Sequence, residues 1–394
     1  MTAVDILFAV VGAILALAAL YLLVPAVAAL FYQAREPEVR GDAQVVVLIP
    51  AHDEEDSIAH CVRALGAQTY PAERFDVVVI ADNCTDDTAR VAREAGAEVL
   101  VRHEPDVRGK GQALRWAIER LLTREAPPAA VVVVDADTTA DPNLLAGLVG
   151  RLEDGAEVVQ GESLLVDDGS PEQALRAAAF LLVNRTKPSG RSVLGLAAGL
   201  QGNGMLFSRR VLADHPWSAF SSTEDVEYGL ALRGAGVSPV FARGAIVWSP
   251  VAPRGRAAET QQLRWEGGKL HLARTLSPRL VAQAFRERRP ALLEAAVDLA
   301  VPPLGYLAAA AATVTAAGAA LSWLDGLAGW AVSPAALALV EIPVYVLVGL
   351  IAANAPSAAY RALARAPWFV VRKALRAHRL LRFRADSWVR TERR

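Results

Sequence analysis

From Ile6 to Tyr32 the chain carries no charged side chain, and this run limits its possible folds more than any other feature. A helix needs roughly 20 apolar residues to cross the hydrocarbon of a bilayer, where every backbone group must find its partner within the segment. The run, interrupted only by Gly12 and Pro25, therefore reads as a transmembrane helix. A cleavable leader has a shorter apolar core of roughly 7 to 15 residues after a basic start. Met1 to Asp5 has no basic residue, so an uncleaved anchor over residues 1–33 is expected.

Two more apolar stretches, Leu299 to Leu324 and Ala335 to Ala353, flank the turn-like segment Asp325 to Pro334 and predict a transmembrane hairpin within 291–356. Glu341 is costly in lipid and is expected to face a helix neighbour or a polar cavity. Hydrophobic residues make up 53% of the 394, a share that agrees with partial residence in a membrane. Residues 361 to 394 hold eleven Lys and Arg against Asp386 and Glu392, so a near-zero net charge hides a basic tail over 357–394. Because it follows an apolar hairpin, we assign it to anionic lipid headgroups and not to nucleic acid. Three crossings put Arg35, Arg40, the middle of the chain and the tail on one side, which the positive-inside rule makes cytoplasmic. The segment 271–290, with Leu272, Leu276, Leu280 and Phe285 among basic residues, predicts an amphipathic helix on the membrane surface.

Between the anchors, residues 42–270 alternate short β-branched runs with helical patterns, as a mostly parallel α/β sheet with crossover helices does. Val45 to Ile49, Val77 to Ala81, Glu98 to Arg102 and Val131 to Val134 are the predicted strands, and Asp141 with Pro142 predicts a helix start. Sheets of this kind bind ligands beyond the carboxyl ends of their strands. Acids gather there: Asp53 and Glu54, then Asp82, then Asp135 and Asp137. Each alone is more often a turn former or a helix cap. Crowded along one edge, they call for a cation or a ligand rich in donors.

Asp135-Ala136-Asp137 suits Mg2+ or Mn2+, hard ions that take carboxylate oxygens and complete their shell with phosphate and water. Lys110 stands between glycines in a loop with no P-loop pattern, open either to a phosphate or to solvent. Gly202-Asn203-Gly204 lacks the third glycine of a dinucleotide fingerprint. Thr223-Glu224-Asp225 opens a helical pattern and reads equally as a cap with first-turn acids. The two cysteines fit no metal spacing, the six histidines form no HExxH set, and no GxSxG elbow occurs.

In order along the chain these pieces resemble the family 2 glycosyltransferases, above all the membrane-bound branch with cellulose, chitin and hyaluronan synthases. The stretch Val47 to Glu55 resembles the first-strand motif and Ile80 to Thr88 the base-binding motif. Lys110, the DxD at Asp135 and Asp137, and Gly202-Asn203-Gly204 follow. Thr223-Glu224-Asp225 and Gln261-Gln262-Leu263-Arg264-Trp265 are similar to TED and QxxRW. The resemblance implies a GT-A fold, a UDP-sugar donor and inversion at the anomeric carbon. It implies that Ala51, Glu54 and Asp82 meet the nucleoside, and that Lys110, Asp135, Gln261 and Arg264 meet the diphosphate. Asp135 and Asp137 would hold Mg2+ or Mn2+. Gly202, Asn203, Glu224 and Trp265 would meet the acceptor, and Asp225 would be the general base.

Asp53 stands where the family usually has Asn, and Asn83-Cys84 replaces Gly-Ser. Three crossings are fewer than polymer-secreting synthases use, which favours a short glycan or a lipid-linked acceptor. A polyprenyl-phosphate monosaccharide synthase is the competing transferase, and a membrane scaffold with a degenerate transferase domain is the rival from another class. A nucleotidyltransferase should have a glycine-rich loop after its first strand, and Pro50 to Glu55 has none.

Overall fold

The computed structural model describes residues 2–34, 41–166, 170–250, 256–324 and 326–377. Arg35, Arg40 and the tail beyond residue 377, with much of the charge used above to orient the chain, lie outside the described residues. Helix α1 (Ala3–Ala29) is followed by β1 (Val45–Ala51), α2 (Ile58–Gly66), β2 (Phe75–Asp82), α3 (Thr88–Glu94), β3 (Glu98–Arg102) and α4 (Lys110–Leu122). Next come β4 (Ala130–Val133), β5 (Thr139–Ala140), α5 (Leu144–Glu153), β6 (Val158–Leu165) and α6 (Pro171–Leu181). A π-helical turn, Leu182–Thr186, leads into α7 (Lys187–Val193), β7 (Met205–Ser208), α8 (Arg209–Asp214), α9 (Glu224–Ala235) and β8 (Val240–Ser249).

The strands form one eight-stranded sheet in the order β3-β2-β1-β4-β7-β6-β8-β5. Its first four are parallel, β7 runs antiparallel to both neighbours, and β6 pairs parallel with β8. Alternation decides which face each residue covers. Val45, Val47 and Ile49 of β1 pack under α2 and α5, while Val46 and Leu48 pack under α4 and α9. The mostly parallel α/β class read from the sequence is therefore the observed one, modified by the antiparallel insertion of β7. One boundary differs. Asp141 does not cap a helix: its carboxylate accepts from the Asn143 N–H (3.0 Å) in a local turn, and α5 starts at Leu144.

Helix α10 (Arg256–Glu287) continues the QxxRW segment and the predicted amphipathic helix as a single element of 32 residues. Most of its apolar face is covered by protein, which revises the surface-helix expectation. Leu272 and Leu280 are buried with Leu230 of α9 and with Leu292 and Ala295 of α11 (Pro290–Ala300), leaving Phe285 exposed. The remaining helices are α12 (Leu304–Trp323), α13 (Ser333–Ala352), α14 (Ser357–Ala362) and α15 (Ala366–Leu375).

Three helical segments, Ala3–Ala29, Leu304–Trp323 and Gly329–Ala352, are long and apolar enough to cross a membrane. The 27 residues of α1 extend about 40 Å. Leu7, Val10, Ile14, Leu17 and Leu20 leave an exposed stripe at helical spacing, as a lipid-facing side would. Small residues set the packing inside the bundle, since a side chain on Gly12 would strike Ala335 of α13. Asp5 closes a capping box with Thr2 and accepts from the Ala328 N–H (2.9 Å), which ties the start of α1 to the α12–α13 connection. Glu341 is half-buried, and among the described residues its Oε2 has no hydrogen-bond partner.

The other end of α1 holds the sheet domain. A side chain on Gly190 of α7 would collide with the Pro25 carbonyl, so α7 and α1 touch backbone to backbone. Beside this contact Arg191 grips Glu294 through two bonds (2.6 and 2.9 Å), Arg233 adds a third (2.6 Å), and the Tyr21 hydroxyl donates to Glu294 (2.6 Å). A charge network this enclosed is sustained only because each ion is both paired and hydrogen-bonded.

Candidate active site

A cavity of about 1220 Å³ opens beyond the carboxyl ends of β1, β2 and β4 and runs towards the membrane helices. Every residue to which the family resemblance gave a role lines it, whereas Asp53 among the strand-end acids does not. Ala51, Glu54, Asp82, Lys110, Asp135 and Asp137 come from the strand ends and α4, Gly202, Asn203, Glu224 and Asp225 from the centre, and Gln261, Arg264 and Trp265 from α10.

The strand-end loops are tightly stitched. Asp53 and Asn83 both adopt positive φ (52° and 51°), a conformation that costs energy for non-glycine residues and needs outside support. Asp53 has that support, since it accepts from the Thr85 N–H at 2.7 Å. Asn83 likewise bonds Asp82 (2.9 Å) and accepts from the Glu104 N–H (2.7 Å). Asp82 is buried, which raises its pKa above the ordinary carboxylate value even though Arg102 pairs with it at 2.6 Å. Arg102 was not among the residues the sequence suggested. It ends β3 in register with Asp82, which ends β2, so the two last residues of adjacent strands form the pair.

Asp53, Cys84 and Asp86 form an acidic group whose ligand atoms lie within 4.8 Å of one another. Their oxygens already accept from the Thr85, Thr88 and Glu55 N–H groups, so the group joins two loops. Both cysteines are free thiols.

At the DxD, Lys110 Nζ meets Asp135 Oδ1 and the Gly202 carbonyl oxygen at 2.6 Å each, with Glu224 at 3.7 Å. Burial works to lower the Lys110 pKa, but Asp135, Glu224 and Asp225 outweigh it and hold the ammonium above its usual value. Asn203 departs from its expected acceptor role. It is buried, it accepts from the Asp135 N–H (3.1 Å), and it donates to Thr138 (2.8 Å) and Ser249 (3.2 Å), which makes it a brace for the acidic turn. Gln160, also buried, fixes the other side of that loop through the Asn203 carbonyl (2.8 Å) and the Gln201 N–H (2.8 Å). Asp135 and Asp137 present hard carboxylate oxygens beside the Lys110 ammonium, the kind of donor that Mg2+ or Mn2+ takes.

Thr223 occupies the N-cap of α9 but makes no capping bond, and Glu227 accepts the Ser221 N–H instead (3.1 Å). Asp225, in the first turn, is pushed up to about 7 by burial and by the adjacent Glu224, against the opposing pull of Lys110. Gly202 has φ +80°, and any side chain there would lie 3.2 Å from Asp225 Oδ2. Gly268 does similar work on α10, since a side chain there would strike Thr223 and keep the QxxRW helix from closing on this loop. Trp265 is half-exposed, its ring 5.9 Å from that of Phe180.

A mixed sheet with acids at the carboxyl ends of its parallel strands and a DxD beside a lysine defines a GT-A type of fold and site. The chain belongs to the glycosyltransferase-like family 2, whose model matches residues 43–268, more than half of its length. An uncharacterised glycosyltransferase of Mycobacterium tuberculosis is 36% identical over 121 residues, 31% of this chain and 49% of that protein. YdaM of Bacillus subtilis, a probable glycosyltransferase, is 23% identical over 271 residues, 64% of this chain and 60% of its own length. The chain thus spans about half the length of the first of these relatives. A mannosyltransferase from Pyrobaculum calidifontis, solved with GDP-Man and Mn2+, superposes with a TM-score of 0.50. That match covers 86% of this chain and 98% of the other at 20% identity, a likeness of fold.

Proposed function

We propose that this chain is an inverting glycosyltransferase that moves a sugar from a UDP-sugar to an acceptor hydroxyl at the cytoplasmic face of a membrane. The observation that carries this reading is Asp225, a carboxylate with its pKa near 7, in one cavity with the DxD and the QxxRW helix. A base poised near the working pH is effective at taking a proton as a bond forms. The acceptor oxygen bonds to the anomeric carbon from the side opposite the leaving group, its proton passes to Asp225, and the bond to the diphosphate breaks. Arg264 and Lys110 offset the charge that develops on the departing diphosphate. Asp135 and Asp137 would hold Mg2+ or Mn2+, which when bound neutralises diphosphate charge. Ala51, Glu54 and Asp82 hold the nucleoside, Gln261 the diphosphate, and Gly202, Glu224 and Trp265 border the acceptor.

The start of α1 and the α12–α13 connection, joined through Asp5, would lie on the opposite side of the membrane from the sheet domain. A tag within residues 100–130 should then be cytoplasmic and one before Ile6 external. The activity is tested by incubating purified protein with UDP- and GDP-sugars and following nucleotide release with and without Mn2+. Metal-dependent release from a UDP-sugar is expected. Release from GDP-sugars alone would overturn the donor assignment, and no release from any donor would overturn the reading as an enzyme.

A further inference from the structure

The cavity does not stop at the donor residues. The same cavity is also lined by Leu304 and Ala308 of α12, Ile342 and Val346 of α13, and Phe369 of α15, which wall an apolar chamber. Ile342 precedes the end of α13 at Ala352 by about 15 Å of helix, so the chamber reaches well into the membrane-spanning segments. Leu182, Val183 and Asn184 of the π-helical turn, a rare element that recurs at functional sites, also line the cavity.

Charge collects where the chamber meets the active site. Lys187 lines it and pairs with Asp298 at 2.5 Å. Lys269 lines it as well, and among the described residues its ammonium has one hydrogen bond, to the Val301 carbonyl oxygen at 3.0 Å, and no carboxylate within ion-pair distance. Two of its three donors remain for a ligand. Burial, reinforced by Lys187 and opposed by Asp298, lowers its pKa to about 8. A lysine is costly in such a place unless an anion joins it. Lys269 directly follows Gly268, which touches the Thr223 loop two residues ahead of Asp225. The base, this ammonium and the apolar chamber therefore share one cavity.

We propose that the acceptor is an amphiphile in which a hydroxylated headgroup is joined through phosphate to an apolar chain. The hydroxyl sits at Asp225, the phosphate at Lys269, and the chain between α12, α13 and α15. This rests on the transferase reading of the same cavity. In the transfer the headgroup oxygen bonds to the anomeric carbon and Asp225 takes its proton. The anomeric carbon–diphosphate bond breaks, the nucleoside diphosphate leaves with the electron pair, and the lipid phosphate is unchanged.

The test uses the full chain in detergent, with binding followed for dioctanoyl phosphatidylinositol, dioctanoylglycerol and inositol 1-phosphate, and UDP binding in Mn2+ measured alongside. An isoprenoid diphosphate-linked sugar, as a further ligand, separates glycerolipid from isoprenoid sources of the same chemistry. One of the two phosphorylated amphiphiles should bind at least about tenfold more tightly than either fragment, the scale of a charged hydrogen bond. Lys269→Met should abolish that advantage and leave UDP binding intact, while Lys269→Arg keeps most of it. Equal binding of dioctanoylglycerol or of inositol 1-phosphate, or an undiminished Lys269→Met, would overturn the proposal. If Lys269→Met fails to fold, the ligand series on the parent chain and Lys269→Arg still decide. Loss of UDP binding in the parent would instead remove the transferase reading.

Discussion

The two halves of the cavity are built differently. The strand-end half is polar and local: each acid lies at the end of its own strand or within four residues of it, and the partners of Asp53 and Asp82 lie in a neighbouring loop or at the end of the next strand. The membrane-side half is apolar and assembled from helices far apart in the chain, with Lys269, Leu304 and Ile342 brought together only by packing. A local site can be recognised by motif and damaged one residue at a time. A packed chamber tolerates changes in its wall while losing discrimination.

The sharpest break of this contrast is Asp225→Asn, which keeps the shape of the side chain. It should reduce transfer by about 10²- to 10⁴-fold, the scale of general-base catalysis, with UDP affinity unchanged. As a mere first-turn acid Asp225 would contribute only about 0.3 to 1 kcal/mol through the helix dipole, and the same change would leave turnover alone. Arg102→Leu comes next. It strands the buried Asp82, and breaking such a pair costs about 3 to 5 kcal/mol, read as a lower denaturation midpoint together with weaker nucleoside binding. Unaltered stability would mean that the pair does not support the site.

Asp137→Ala should weaken UDP binding in Mn2+ by about 10- to 100-fold, the scale seen for disturbing a metal site, with little change in EDTA. Equal UDP affinity of Asp137→Ala and the parent chain in Mn2+ would exclude Asp137 as a ligand. The smallest effect is on pH dependence. Because the Asp225 pKa is raised, its base form grows as pH rises through the region of 7, and activity should climb with it. Lys110 pulls that pKa down, so Lys110→Met should move the acid limb upward. A limb that stays in place would detach Lys110 from Asp225.

The strand ends were legible because an acid after a β-branched run is a local signal, and the same holds for the lysine between glycines. Arg102 was missed because a charge at the end of a strand looks solvated until the register with Asp82 is known. Asn203 was assigned to the acceptor because sequence cannot show that its amide is used up by Asp135, Thr138 and Ser249. Periodicity found an amphipathic helix in 271–290, but could not say that α9 and α11, and not lipid, cover most of its apolar face. Lys187 and Lys269 belong to no motif. Their place in the cavity follows from what the fold packs around them, and no local pattern in the sequence marks it.

The central claim, that the strand-end acids hold the donor diphosphate in the cavity leading to the membrane helices, is tested most directly by locating Mn2+ through its anomalous scattering in crystals grown with UDP. The account predicts the ion at Asp135 and Asp137 with the diphosphate facing Arg264. An ion at the Asp53, Cys84 and Asp86 group, with the nucleotide outside the cavity, would contradict it.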